Sequence, residues 1–395
     1  MSTSSESPAA AGTADAQPAG PGAAAGSGAA DGSGAADGAS RVLPPSATTT
    51  GIWVPGDAVQ RPGEETRRAA SAGFDLLAQG LPPVPLIAHR AGERWGADAV
   101  GRAVGLLRDL HVDRTSYGWR LTSTEGRDER LEASGLGEAL DAVAEYGEGY
   151  DGTVQISLPG PWTLVTALSL PSGARVLGDS GARRDVVQAY AFGIADLVER
   201  LRRLGLASAV RFAETRLDPV LTGAWPTVSG FASLPAISET QVYAALRSTL
   251  AHLPPVLLSL PDLAPLHLRG KAIPAAEAIA GIGATAVSVP LGTLGAEGWE
   301  QLAVLAEAGV GTWLRLPAAA GERPEEVRAW YERISRPWTR VGMSPRSLAG
   351  FGVLTGEELP LGHPPLLDPA IAPAAADAGA MRIAAGLRRA LEDAE

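Results

Sequence analysis

Hydrophobic positions along the chain switch repeatedly between period two and the period of three to four that marks an amphipathic helix. Short β-branched or alternating runs at residues 48–53, 84–88, 153–158, 209–214, 256–260, 284–289, 310–316 and 338–343 predict strands. Longer runs with one apolar face predict helices at 62–79, 97–110, 131–145, 182–204, 238–250, 275–282, 299–307, 324–334 and 374–391. The longest, 182–204, places Val186, Val187, Tyr190, Ile194, Leu197, Val198 and Leu201 on one face before Gly205 ends it. Ser238 is a candidate N-cap for the helix that follows it. Residues 112–123, around Gly118-Trp119, read as a hairpin or an extended arm.

Strand and helix alternate about eight times from residue 48 onward, which implies parallel strands joined by crossover helices. Eight repeats favour a closed (β/α)8 TIM-type barrel over an open doubly wound sheet. An open sheet carries a Gly-x-Gly-x-x-Gly turn after its first strand, whereas here that strand ends Trp53-Val54-Pro55-Gly56. The expected fold class is therefore α/β, a barrel over 47–395 with an elaborated early region at 81–150. Residues 1–46 are almost wholly Ala, Gly, Ser, Thr and Pro. They lack the apolar surface to offset ordering, and a disordered tail is expected.

The stretch 153–172 is the most informative. A strand runs into Pro159-Gly160-Pro161, prolines halt its ladder, and Trp162-Thr163-Leu164 opens an apolar run at its carboxyl end. In alternating α/β chains that end is where ligands gather. The plainer alternative is a strand, a turn and a packing tryptophan. Glu214 ends the next strand and is a second candidate on the same rim.

Composition removes several classes of chemistry. Hydrophobic residues at 45% and charged residues at 19% are ordinary for a soluble globular protein. The absence of cysteine excludes disulfides, thiolate nucleophiles and sulfur-ligated zinc. The net charge of −11, with no basic stripe, argues against nucleic acid. No apolar run is long enough for a membrane span and no secretory signal opens the chain, so no membrane partner and a cytoplasmic location are expected. His89, His111, His252, His267 and His363 lie in separate segments without metal-binding spacing.

On Thr50-Gly51-Ile52-Trp53-Val54-Pro55-Gly56, Gly96 to Arg102, Ser116 to Leu121, Pro159 to Leu164 and Pro226 to Phe231, the chain resembles the C-terminal catalytic domain of cobalamin-independent methionine synthase. It looks closest to the short single-barrel members of that superfamily. The resemblance spans most of residues 48–350 and implies methyl transfer from a folate to the homocysteine thiol, in methionine biosynthesis. It also implies a zinc ion that binds the thiol and lowers its pKa. Carried over residue by residue, it puts Leu258 and Leu260 where a His and a Cys belong, Pro290 at or beside a Glu position, and Arg346 at that of a second Cys. Of the acidic pair that helps hold the amino acid's ammonium group, only Glu214 remains, and Ile52 stands at the position of an early serine.

The expectation is a methionine-synthase-like barrel whose zinc ligands are lost, a pseudoenzyme with no cofactor. The alternative is a non-catalytic barrel that binds a small molecule (a folate, a thiol or an anion) or a protein partner. Trp53, Trp162 and Glu214 would line its mouth, with Arg346 neutralising Glu214 or binding an anion. A third reading is a hydrolase with paired carboxylates, Asp262 being the second acid.

Overall fold

Parity along each strand decides which side chains meet across the barrel and which meet the surrounding helices. The computed structural model describes residues 43–53, 63–87, 99–116, 118–268, 271–317, 323–356, 358 and 378–394. Its barrel strands are β1 (Ala47–Thr49, continued by Ile52–Trp53), β2 (Leu86–Ile87), β3 (Thr153–Pro159) and β4 (Ala207–Ala213). They are followed by β5 (Val256–Ser259), β6 (Ala286–Pro290), β7 (Gly311–Leu316) and β8 (Phe351–Thr355). Hydrogen bonds order seven of them β1-β8-β7-β6-β5-β4-β3, every pairing parallel.

The residues leading into β2 close the ring. On one side Leu81 N–H donates to Ala47 O and Leu86 N–H to Gly51 O; on the other, Gln155 N–H donates to Pro82 O and Val84 N–H to Gln155 O. Pro82, Pro83 and Pro85 have no N–H, so this strand is stitched by scattered bonds and only Leu86–Ile87 pair regularly. Buried Arg102 donates to the carbonyls of Val84 and Pro85 and so holds the strand's carboxyl end.

Among the described residues, the eight α-helices of eight residues or more pack around the ring: α1 (Glu64–Leu76), α2 (Arg127–Tyr146), α3 (Ser180–Arg203) and α4 (Glu239–Ala251), then α5 (Ala275–Ile282), α6 (Ala296–Glu307), α7 (Pro324–Arg340) and α8 (Ala378–Glu392). The expected (β/α)8 barrel is the observed one. The elaborated early region is also present: a hairpin of His111–Thr115 with Gly118–Thr122, extended in parallel by Leu168–Ser169, sits between β2 and α2 in the chain. Among the described residues no helix is long and apolar enough to cross a membrane.

The structure corrects the last repeat. Residues 338–343 are not a strand, because α7 runs on to Arg340 and β8 is Phe351–Thr355. Pro337 suggests a break before Trp338, since an interior proline costs a helix about 3 kcal/mol. Ile334 and Trp338, one turn apart, are both completely buried, and Trp338 packs edge-on against Phe351 at 4.9 Å and near Trp299 at 6.3 Å. Truncating a buried tryptophan alone costs about 3–5 kcal/mol, so burial outweighs the proline.

Residues 1–42 of the expected tail lie outside the described residues. The described chain begins four residues before the boundary drawn from composition: Leu43 is buried, and Val353 N–H donates to Ser46 O.

Leu43 belongs to an apolar floor inside the barrel with Leu81, Ala209, Leu257, Ala286 and Trp313. The indole of Trp313 lies so close to Gly352 that a Cβ there would fall 2.1 Å from the ring. Gly352→Ala is therefore expected to lower stability by about 1–3 kcal/mol through overpacking, read from the urea unfolding midpoint. An unchanged midpoint would contradict the floor as described.

Candidate functional site

Above the floor the inward positions become polar. The same parity that directs Ala209, Leu257, Ala286 and Trp313 inward directs Arg211, Ser259, Ser288 and Arg315 inward one step nearer the strands' carboxyl ends. On β3 the inward pair is Gln155 and Ser157, opposite Ala209 and Arg211 of β4. Glu358, just beyond β8, contributes its carboxylate to this layer.

These groups form one connected network. Arg211 Nη2 donates to Ser259 Oγ at 3.1 Å and to Glu358 Oε1. Ser259 and Ser288 hydroxyls lie 2.7 Å apart, and Ser259 Oγ donates to Glu358 Oε1 at 3.3 Å. A consistent arrangement has Ser288 donating to Ser259. Arg315 Nε stands 3.7 Å from the same Glu358 oxygen. Gln155 Nε2 donates to Thr49 O at 2.8 Å and to Ser157 Oγ at 3.1 Å.

Two features separate this network from an ordinary structural ion pair. Two guanidiniums share one carboxylate, and Arg211 Nε, Arg315 Nε, Gln155 Oε1 and Thr50 Oγ1 are buried without a hydrogen-bond partner among the described residues. Orphaned donors and acceptors of this kind are costly and rare in a finished core. The Arg211 side chain is 2% exposed and Glu358 20% exposed, so the layer grades from buried arginine to a solvent-facing acid. Burial lowers the pKa of Arg211, Glu358 raises it and Arg315 lowers it again. The guanidinium stays charged throughout.

The four residues proposed from the sequence are not gathered in that mouth. Trp53 is almost buried among the helix-packing residues, its indole N–H donating to Glu65 Oε2 at 2.9 Å. Trp162 is buried in the short helix Pro161–Ala167, donates to Val242 O at 3.4 Å, and walls a groove of about 560 Å³ between α3 and α4. Arg346 is exposed on the 3-10 turn Pro345–Gly350 that enters β8. That turn is at the strands' amino ends, so Arg346 cannot neutralise Glu214 or serve the mouth; the misplaced last strand had put it there.

Glu214 does stand at the carboxyl end of β4, but it is completely buried and committed to its neighbours. Its carboxylate accepts from Trp162 N–H and Thr163 N–H, both at 2.8 Å, and from Thr163 Oγ1 at 2.5 Å. It thus caps the helix after β3 from a different strand, which has Gly160 rather than a side-chain cap at its start. A Cβ on Gly160 would lie 2.4 Å from this carboxyl. Burial pushes the Glu214 pKa up to about 7, against the lowering effect of the Thr163 and Trp162 hydrogen bonds. Neither Arg211 nor Arg216 pairs with it: Arg211 meets Glu358, and Arg216 stacks on Trp225 at 4.5 Å. Asp262 is exposed and accepts from Ala264 N–H, so the paired-acid hydrolase reading gains no second acid from it.

Zinc, which the sequence resemblance implies, does not fit the donors present. Leu258 and Leu260 belong to the helix-side core, and the inward residue between them is Ser259. The layer offers serine hydroxyls and one acid beside two guanidiniums, an environment that repels a dication. Among the described residues no three His, Cys, Asp or Glu side chains cluster as a metal site. His111 is paired with Glu129 at 3.1 Å and His252 lies in the α3–α4 groove. His89, His363 and the His267 side chain lie outside the described residues.

Sequence reasoning missed Arg211, Arg315 and Glu358 as site residues. For the arginines a signal existed, a charge at the inward phase of an otherwise apolar strand. Glu358 carried none, since the strand before it was placed wrongly.

No family model matches the chain, and no curated protein matches it. Among solved structures, a B12-independent methionine synthase from Shewanella sp. W3-18-1, in complex with selenomethionine, aligns at 11% identity over 89% of this chain and 95% of that one, with a TM-score of 0.44. A modular endo-β-1,4-mannanase from Cellulomonas fimi aligns at 11% identity over 56% of this chain and 52% of that one, with a TM-score of 0.33. Likenesses this distant leave the chemistry to be argued from the side chains.

Proposed function

We propose that this chain is a cytoplasmic, non-catalytic barrel of the methionine-synthase-like kind that binds a small anionic molecule inside its carboxyl-terminal mouth. The observation that carries the proposal is the pair of buried arginines sharing one acid, each with an Nε–H that has no hydrogen-bond partner among the described residues. A buried surplus of positive charge costs free energy unless an anion completes it. Guanidinium donors also match the oxygens of carboxylate and phosphate groups. The sequence motifs support the methionine-synthase-like part of the reading, and the side chains at the former ligand positions support loss of the metal-bound thiolate.

Thermal-shift titration with carboxylates, phosphate, folates and thiols tests it. Anionic compounds are expected to raise the midpoint. Arg315→Met is expected to weaken their binding by about ten-fold or more, in line with loss of a charge-assisted bond. Arg346→Ala, on the opposite end of the barrel, is expected to leave it unchanged. Stoichiometric zinc together with methyl transfer to homocysteine would overturn the non-catalytic assignment, and the absence of any anion-dependent shift would overturn the anion site.

A further inference from the structure

We propose that Glu358 sets the charge of the ligand and that the ligand group received between Arg211 and Arg315 is a singly charged carboxylate. The inference rests on the anion-site reading and sharpens it.

The charge count is short. Among the described residues the polar layer holds two guanidiniums and the single carboxylate of Glu358, so two positive charges less one negative leave one positive charge. Glu358 Oε1 touches Arg211 and lies 3.7 Å from Arg315 Nε, so it already plays the part of one anion toward both. One further negative charge brings the layer to neutrality. A second would leave an unbalanced anion beside two buried guanidiniums, a penalty that grows as the local dielectric falls.

The donors left over give the shape. Arg211 Nη2 is occupied by Ser259 and Glu358, while among the described residues Arg211 Nε and Arg315 Nε have no hydrogen-bond partner, Arg315 Nε facing Glu358 only at ion-pair distance. Two N–H groups from two residues suit a group with two oxygens, and a monatomic anion satisfies them less well. Glu358 belongs to the segment leaving β8 and is the most exposed of the three charges, so its removal changes the charge of the layer without touching a barrel strand.

Isothermal titration calorimetry at fixed ionic strength tests this with propionate, chloride and sulfate as probes, on the wild-type chain and on Glu358→Gln. Wild type is expected to bind propionate roughly ten-fold or more tightly than sulfate, and more tightly than chloride. Glu358→Gln is expected to shift the propionate-to-sulfate ratio toward sulfate by a similar factor, and sulfate is expected to raise its thermal midpoint more than that of wild type. Sulfate or chloride binding wild type as tightly as propionate overturns the charge and shape assignment while leaving an anion site standing. An unchanged ratio in Glu358→Gln overturns the role of that residue. If wild type binds none of the three probes, the anion-site reading falls and this inference with it. The wild-type ratio decides the ligand class without the variant, so a variant that fails to fold does not remove the test.

Discussion

Glu214→Ala is expected to lower the stability of the barrel by about 3–5 kcal/mol, because it strands two buried backbone donors at once and leaves a cavity. Trp162 N–H and Thr163 N–H both end on this carboxylate, and among the described residues no other acceptor is bonded to them. Thr163 Oγ1 would lose its acceptor too, although it also receives Thr215 N–H at 3.0 Å. Chemical denaturation near neutral pH measures the loss. A change below about 1 kcal/mol, the usual worth of an exposed cap, would contradict the buried cap.

The same residue predicts a pH dependence with a definite sign. Burial raises the folded-state pKa of Glu214 to about 7, above the roughly 4.3 of an unfolded chain. The folded state therefore holds the proton more tightly. The resulting stability is complete below the unfolded value and is lost as pH rises through about 7. Glu214→Gln cannot titrate, so its stability relative to wild type is expected to improve between pH 5 and pH 8, by about 3 kcal/mol at most. Parallel stability curves for the two proteins would show that the carboxyl is ionised across the whole range.

Arg211→Met is expected to separate stability from binding. Removing one guanidinium leaves Glu358 with Arg315, a balanced pair, and replaces a buried charge with an apolar side chain of similar length. Removing one member of a lone buried ion pair is destabilising, whereas exchanging whole buried ionic clusters for apolar groups is often neutral or stabilising by about 1–4 kcal/mol; here Glu358 keeps a second guanidinium. Stability should therefore hold or rise, while anion affinity falls by about a hundred-fold or more, the loss of a buried charged partner being worth roughly 3 kcal/mol. A purely structural arginine would behave in the opposite way: its loss would destabilise the fold and leave no binding to lose. Denaturation and anion titration on one preparation distinguish the two.

Most of the fold was legible from the period of the hydrophobic pattern, since a strand buried on both faces and a one-faced helix leave different repeats. β2 was legible despite three prolines because Val84 and Leu86 keep their apolar character, and its unusual bonding could not be foreseen. β8 was missed because Pro337 disguised the continuation of α7, and the burial of Trp338 that overrides it is a tertiary effect. Glu214 was placed correctly at its strand end, but its role was not visible. Whether a strand-end acid faces a ligand or a helix start depends on the turn at Gly160, where the chain comes close enough for capping. The tryptophans misled for a related reason: their bulk fits either a mouth or a core, and Glu65 and Val242 supply the indole partners on the helix side.

The most direct test of the central claim reads the two arginines themselves. The Nε–H resonances of Arg211 and Arg315, assigned by their loss in Arg211→Met and Arg315→Met, can be followed by NMR while propionate is added to the wild-type chain. An anion-binding barrel predicts that both resonances shift and saturate together, with Glu358→Gln altering the response. Two resonances that stay fixed up to saturating propionate would contradict it.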